Sequence, residues 1–184
     1  QPTRVIPRKG IELSIELLHR LGDNRAKLVI THKAGDEGLD YLHELQALAK
    51  AKNVALIYAG NVVDDQRHEA SDKKIYSLWD AYPHADLVTY PSFIEGFGNA
   101  LIETVYFKLP AVVNRYPVYA ADIGPLGFQF AEIEGAITPE TVETVRGLLE
   151  NPATAVPATT HNYELGKHHF SFQTLFELLA PLWK

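Results

Sequence analysis

Short apolar runs recur along the chain and alternate with longer amphipathic stretches. The runs are rich in β-branched residues, which predicts strands that are buried on both faces. The predicted strands span residues 4–6, 26–31, 54–58, 87–90 and 111–113. Apolar positions spaced three and four apart predict helices between the strands. The predicted helices span residues 11–21, 39–51, 74–82, 98–107, 162–169 and 172–183, and one more begins at Thr138.

This alternation of strands and helices is typical of a parallel sheet with helices on both faces. Five or six strands suit an open, doubly wound, mostly parallel Rossmann-like α/β sheet better than a closed eight-stranded barrel. Residues 60–73 are polar and predict a loop, residues 151–160 predict a connection, and residues 114–135 have no clear pattern. We expect a single Rossmann-like domain over residues 1–184. Aromatic side chains are expected to pack the closing helices onto the core, namely Tyr163, Phe170, Phe172, Phe176 and Trp183.

The composition excludes several classes of protein. The 17 Lys and Arg residues against 23 Asp and Glu residues give a net charge of −6, which disfavours a general nucleic-acid or anionic-membrane binder. The absence of Cys excludes disulfides, a thiol nucleophile and a cysteine-based zinc site. No apolar run approaches the roughly 20 residues that span a bilayer. Because the chain has no Met, we expect it to be a fragment of a larger protein.

A glycine-containing turn follows the fourth predicted strand, and in open α/β sheets ligands bind at the carboxyl ends of the strands. Gly96 and Gly98 flank the predicted start of a helix, where backbone N–H groups favour an anion such as a diphosphate. Glu95 and Glu103 could accept hydrogen bonds from vicinal hydroxyls of the same ligand. An ordinary loop with a solvated Glu103 remains an equal alternative on spacing alone.

A basic cluster follows the first predicted strand. Arg4, Arg8 and Lys9 lie close together in a chain that is acidic overall, and Arg4 and Lys9 could hold a phosphate from two sides. A solvated basic loop is the alternative. The sequence contains neither a Gly-x-Gly-x-x-Gly fingerprint nor a P-loop, so a dinucleotide site or a nucleotide triphosphatase is not indicated.

Taken together, these residues resemble the donor-binding C-terminal domain of family 4 (group 1) glycosyltransferases. The resemblance rests on Arg4 and Lys9-Gly10, followed by Glu95 and, eight positions later, Glu103. It extends to Gly60, Tyr90-Pro91-Ser92, Gly96-Phe97-Gly98 and Phe170-Ser171. Members of this family are retaining enzymes of the GT-B fold, in which two Rossmann-like domains face each other. The chain would then be the C-terminal half of such an enzyme.

The resemblance implies a catalytic role for Arg4, Lys9 and Glu95. Arg4 and Lys9 would bind the diphosphate of a nucleotide sugar and stabilise the charge that develops as the sugar departs. Glu95 would contact hydroxyls of the donor sugar. These cations could replace a metal ion, and the sequence has no Asp-x-Asp motif to hold one. No cofactor and no metal are therefore expected.

The resemblance also implies residues that bind the nucleotide sugar. Phe97, Gly98 and Asn99 would offer backbone N–H groups to the phosphate or the sugar. Glu103 would hold the ribose hydroxyls, and Gly60 would lie under the base. A UDP-sugar and a GDP-sugar are both compatible with this arrangement.

The remaining expectations concern the whole protein. A missing N-terminal domain would bind the acceptor, and no nucleic acid is expected as a partner. The full protein would be cytoplasmic and could associate peripherally with the inner membrane face. Thr3, Lys108-Leu109-Pro110-Ala111 and the run from Asn114 to Tyr119 depart from the family pattern. A nucleotide-sugar epimerase of the same fold and a non-catalytic nucleotide- or phosphate-binding module are the alternatives.

Overall fold

The computed structural model describes residues 1–34, 39–70 and 73–183. The helices are α1 (Ile11–Leu21), α2 (Asp40–Ala51), α3 (Leu78–Ala81), α4 (Asn99–Tyr106), α5 (Pro139–Glu150), α6 (Val156–Phe170) and α7 (Phe172–Leu179). The strands are β1 (Lys27–Ile30), β2 (Ala55–Tyr58), β3 (Val63–Asp64), β4 (His68–Ala70), β5 (Lys73–Ser77), β6 (Val88–Tyr90), β7 (Ala111–Asn114) and β8 (Ala131–Ile133). The predicted α/β fold with parallel, Rossmann-like sheets is confirmed.

The sheet that carries most of the core has the order β6-β7-β8, and all of its pairings are parallel. Every residue of the central strand β7 is buried. Ala111 and Val113 belong to one apolar cluster and Val112 belongs to another, because successive side chains of a strand point to opposite faces. Helices therefore cover both faces of β7, as the doubly wound architecture requires.

A second parallel sheet consists of β1 and β2, which pair from Lys27 opposite Ala55 to Ile30 opposite Tyr58. A cavity of about 540 Å³ lies between β1 and β6 and is lined by residues of both strands. The amino group of Gln1 donates a hydrogen bond of 2.7 Å to the carbonyl oxygen of Val29 on β1. The N-terminus is thus anchored beside the sheet, directly before the basic cluster.

The predicted strand at residues 4–6 is wrong. The chain turns there, with the Ile6 N–H bonded to the Arg4 carbonyl oxygen, and it enters a 3₁₀ helix over Pro7–Lys9. Pro7 fixes its own φ and lacks an N–H group, which suits the start of a helical turn and not a strand interior. Val5 is nevertheless buried against α1. The apolar run correctly indicated burial, but it did not indicate the type of structure.

The predicted loop at residues 60–73 and the predicted helix at residues 74–82 also need correction. A small sheet of order β3-β5-β4 occupies most of this region, and residues 71–72 lie outside the described residues. Ser77 and Asp80 form a capping box, so the helix begins only after Ser77, and α3 is one turn long. The side chain of Ile75 in the middle of β5 is buried, which identifies this stretch as a strand with one face inward.

The segment without a clear pattern contains a π-helical turn at Tyr119–Ile123, a 3₁₀ turn and then strand β8. The predicted connection at residues 151–160 is instead largely helical, because a 3₁₀ helix over Pro152–Ala155 leads directly into α6. The predicted helix start at Thr138 is confirmed. Its hydroxyl oxygen accepts a hydrogen bond of 3.1 Å from the Thr141 N–H and caps α5.

The closing aromatic residues behave differently from the prediction. Phe170 is half-buried and its ring stacks on Phe128 at 6.0 Å, as expected. Phe172, Phe176 and Trp183 are instead 90%, 68% and 79% exposed, and α7 contributes no buried residue. Neither α7 nor any other helix in the described part of the chain has the length and apolar character needed to cross a membrane.

Candidate functional site

The basic cluster is held in place by a backbone contact with the segment after β6. The Phe93 N–H donates a hydrogen bond of 2.8 Å to the Arg8 carbonyl oxygen. Gly10 has a left-handed φ of 60°, and a Cβ atom placed there would lie 2.4 Å from the Pro91 carbonyl oxygen. Only glycine allows this approach without a shift of the backbone. The two segments, more than 80 residues apart in sequence, therefore meet at the carboxyl ends of the strands.

This contact brings two of the predicted catalytic residues together. Lys9 Nζ donates a hydrogen bond to Glu95 Oε1. Arg8 Nη1 lies 3.4 Å from Glu95 Oε2 and donates a hydrogen bond of 2.7 Å to the Ile94 carbonyl oxygen. The side chains of Lys9 and Glu95 are only 10% and 9% exposed. The result is a shielded cluster with two cations and one carboxylate.

The electrostatics of this cluster reflect its burial. Burial lowers the pKa of Lys9, and the hydrogen bond to Glu95 partly opposes that effect. Burial acts to raise the pKa of Glu95, but the hydrogen bond from Lys9 and the positive charges of Lys9 and Arg8 outweigh it and hold the pKa below its usual value. Each charge is therefore stabilised by its partner, and the loss of either one would leave the other poorly solvated.

A cavity of about 430 Å³ opens beside this cluster. Arg4 and Arg8 line one part of it, and Asp64 and Asp65 line another. The remaining lining residues are Ile6, Thr31, His32, Lys33, Val63 and Leu78. Arg8 belongs both to this wall and to the Glu95 cluster, so the cavity and the cluster form one continuous site. Arg4 is within electrostatic range of Lys9.

Helix α4 begins at Asn99, shortly after Glu95 in the sequence. Gly98 is the N-cap residue with φ of 103°, and a Cβ atom there would lie 2.7 Å from the Tyr116 hydroxyl oxygen. Tyr116 donates a hydrogen bond of 3.0 Å to the Phe97 carbonyl oxygen, which fixes the turn. No side chain caps this helix. The Leu101 N–H donates a hydrogen bond of 2.9 Å to the Gly98 carbonyl oxygen, whereas the N–H groups of Asn99 and Ala100 point out of the helix start, as in any α-helix. Such groups are suited to bind an anion.

Glu103 lies one turn further along α4. Its Oε2 accepts a hydrogen bond of 2.8 Å from the Tyr82 hydroxyl, which leaves capacity to accept from a ligand hydroxyl. Burial raises the pKa of Glu103, and the negative charge of Asp65 acts in the same direction. Since Asp65 lines the cavity, Glu103 is close to its carboxylate end. The ribose role of Glu103 stays a prediction.

Gly60 has a different surrounding. It follows β2, and a Cβ atom there would lie 2.7 Å from the His32 carbonyl oxygen and 2.6 Å from the Tyr58 hydroxyl oxygen. The absence of a side chain thus lets the segments after β1 and β2 pack closely. Whether Gly60 touches a base stays a prediction, as do the roles of Phe97, Gly98 and Asn99.

Three residues of the site were missed or underrated by the sequence reasoning. Arg8 was seen in the basic cluster, but it was not assigned to the site although it contacts Glu95. His32 and Lys33 line the cavity directly after β1, and Lys33 Nζ pairs with Asp64 Oδ2 at 2.6 Å. The signal was available, because residues 26–31 were predicted as a strand and its carboxyl end lies at the ligand-binding edge.

Within the described ranges, no group of three or more His, Asp or Glu side chains is placed to hold a metal ion. The carboxylates in the cavity wall are next to cations: Asp64 is paired with Lys33, and Asp65 is its neighbour in sequence. The polar groups of the site therefore suit an anionic ligand that carries hydroxyl groups.

Comparison with known proteins gives a consistent picture. The family described as glycosyl transferases group 1 matches residues 2–153. Mannosylglucosylglycerate synthase of Petrotoga mobilis is 37% identical over an alignment of 150 positions, which covers 72% of this chain and 34% of that protein. The enzyme of the same name from Thermotoga maritima is 30% identical over a gapped alignment of 208 positions, which covers 98% of this chain and 47% of that protein. The chain thus spans between a third and a half of the length of these relatives.

A solved structure supports the fold assignment. Anabaena Alr3699/HepE in complex with UDP superposes with a TM-score of 0.79 at 16% identity, covering 99% of this chain and 47% of that one. At this level of identity, the likeness establishes the fold and not the ligand. The parallel-sheet architecture described above is therefore the one found in GT-B enzymes.

Proposed function

Because the chain belongs to the group 1 glycosyltransferase family, we propose that it binds the diphosphate of a nucleotide-sugar donor and positions the sugar for transfer. The observation that carries this proposal is that Arg4 and Arg8 line one cavity and that Arg8 and Lys9 contact Glu95 beside it. A chain with a net charge of −6 concentrates three cations there. Such a local concentration of positive charge suits an anionic ligand.

The chemistry of transfer explains why cations are needed. When the bond between the anomeric carbon and the phosphate oxygen breaks, negative charge develops on the departing diphosphate. Lys9 and the arginines are already oriented by their contacts, so they can stabilise that charge without reorganisation. We therefore expect transfer to proceed without a metal ion. Attack by the acceptor from the face that the diphosphate leaves would give retention of configuration.

Glu95 has a second task in this proposal. Glu95 accepts hydrogen bonds from Arg8 and Lys9, and its carboxylate still has lone pairs for the hydroxyl groups of a sugar. Since Lys9 has three N–H donors and uses one for Glu95, it can contact phosphate at the same time. The pair thus connects the sugar and diphosphate ends of the donor. The nucleoside would lie toward Glu103.

The acceptor is proposed to bind to a part of the intact protein outside this chain. The two relatives compared above carry the name mannosylglucosylglycerate synthase, so mannosylglucosylglycerate is the first product to test for in the intact enzyme. UDP is the first nucleotide to test, because the superposed HepE structure contains it.

Calorimetric titration of the chain with UDP, GDP and ADP tests the donor site. We expect one of them to bind, and the Glu103→Ala variant to bind it at least about tenfold more weakly, because a hydrogen bond to a charged group is lost. A nucleotide at about 100 times its dissociation constant should stabilise the fold by about 2.7 kcal/mol, which thermal melting measures independently.

Glu44→Ala is the matched control, since Glu44 is an exposed carboxylate on α2, away from the cavity. It should leave nucleotide affinity unchanged. If neither the chain nor the intact protein binds any of the three nucleotides, the proposed function is wrong. Equal losses in the two variants would remove Glu103 from the site.

A further inference from the structure

His32 occupies a position in the cavity that neither the family comparison nor the proposed chemistry assigns. It follows β1 at the carboxyl end of the strand and lines the same cavity wall as Arg4 and Arg8. Its carbonyl oxygen packs closely against Gly60, and this contact fixes the backbone of His32. The imidazole is half-buried and therefore has a defined place relative to any ligand in the cavity.

One ring nitrogen of His32 already has a partner that tolerates both protonation states. Nδ1 lies 3.3 Å from the hydroxyl oxygen of the buried residue Thr31. A threonine hydroxyl donates to a neutral Nδ1 and accepts from a protonated one. The ring can therefore gain or lose a proton without losing this contact. In the neutral form with this bond, the proton is on Nε2, which is then a donor.

The surroundings of His32 lower its pKa in the absence of an anion. Burial lowers the pKa of His32; Asp65 acts to raise it, and Lys9 and Arg4 act to lower it further. A diphosphate in the cavity would reverse this balance, because two negative charges would join Asp65.

We propose that His32 donates a hydrogen bond to the diphosphate of the donor and takes up one proton from the solvent when the donor binds. This inference rests on the proposed function, because it needs a diphosphate in the cavity. His32 then supplies a further positive charge that is present only in the complex. The proton is bound at the imidazole and comes from the buffer, and no covalent bond changes.

The sign of the pH dependence follows from this scheme. The bound state has the higher His32 pKa, so the complex holds more protons than the free protein. Affinity is therefore greatest below the pKa of the free protein and is lost as the pH rises through the pKa of the complex. Between these two values the affinity should fall by up to about tenfold per pH unit, the limit for one proton.

UDP-glucose, GDP-glucose and ADP-glucose are the probes, because the diphosphate of a nucleotide sugar has no terminal phosphate that would titrate near neutrality. The affinity of the tightest is measured from about pH 5.5 to about pH 8.5, the range in which histidine titrates. Wild type is compared with His32→Gln, which keeps a neutral donor. His43→Gln is the control, since His43 is an exposed histidine on α2.

We expect wild type and His43→Gln to lose affinity with rising pH, and His32→Gln to be almost independent of pH. An NMR titration of the imidazole signals gives a second readout. The signal missing in His32→Gln should titrate at a higher pH when the nucleotide sugar is bound. A merely structural histidine would not show this shift.

The outcomes separate the two proposals. If a nucleotide sugar binds but the slope persists in His32→Gln, or the His32 titration does not move, the proton-coupled role is overturned and the donor site stands. If none of the three sugars binds wild type at any pH, in the chain or in the intact protein, both proposals are overturned.

Discussion

Replacement of Lys9 by alanine should weaken nucleoside diphosphate binding by between about tenfold and about a hundredfold, because a charge-assisted hydrogen bond to phosphate is lost. In the intact enzyme the rate of sugar transfer should fall further, by about a hundredfold to a thousandfold, since the charge of the departing diphosphate is then less stabilised. The affinity is measured by calorimetry with the tightest nucleotide. The rate is measured by release of that nucleotide from its sugar.

The ion pair with Glu95 requires a control, because loss of Lys9 also leaves a shielded carboxylate with one cation fewer. The double variant Lys9→Ala with Glu95→Ala should recover part of the lost stability but none of the lost affinity. Lys52→Ala removes a comparable ion pair, that of Lys52 Nζ with Glu16 Oε2 at 2.6 Å, and should leave affinity unchanged. If Lys9→Ala binds nucleotide as tightly as wild type, Lys9 is a structural residue and not a phosphate ligand.

One rule about parallel sheets made part of the site predictable from the sequence. The carboxyl ends of parallel strands share an edge, so residues after the first and fourth predicted strands were expected to meet. Lys9 and Glu95 do meet, although the first of those strands is a turn. The rule worked because Lys9 is tied to the edge by Gly10 and its contact with Pro91, which hold whether or not residues 4–6 are extended.

His32 follows the second predicted strand, but no motif in the sequence marks it as a site residue. Gly35 and Gly38 lie in the same polar stretch, yet they match neither the Gly-x-Gly-x-x-Gly fingerprint nor the P-loop. The relevance of His32 arises from tertiary position alone, since Gly60 allows the backbone of His32 to sit close to the end of β2. Side-chain contacts of this kind have no local sequence signal.

Secondary structure failed where long-range pairing decided the outcome. Lys73–Ser77 contains residues that a short helix could accept, but Ile75 pairs with His68 and Tyr76 pairs with Val63. Those partners lie 7 and 13 positions earlier, and the pattern within Lys73–Ser77 does not reveal them. Helices α1 and α2 and strand β7 were predicted well because their own patterns, 3.6-residue periodicity or continuous burial, already specify them.

Gly10→Ala should lower the free energy of unfolding by about 3 kcal/mol or more. A left-handed conformation costs a residue with a Cβ atom about 1–2 kcal/mol. A further cost arises because that Cβ atom would lie 2.4 Å from the Pro91 carbonyl oxygen, so one of the two segments must move. For a chain of this length, the melting temperature should fall by about 6–12 °C. Urea unfolding and thermal melting measure both quantities.

Gly22→Ala separates the two contributions. Gly22 ends α1 with nearly the same conformation, φ of 64°, but no atom lies within 4 Å of a Cβ atom placed there. Its replacement should therefore cost only the conformational part, about 1–2 kcal/mol, and leave nucleotide binding intact. Gly10→Ala should weaken nucleotide binding as well, because the movement displaces Lys9 from Glu95. Equal destabilisation in the two variants, with unchanged binding in both, would mean that the approach of Gly10 to Pro91 does not hold the site together.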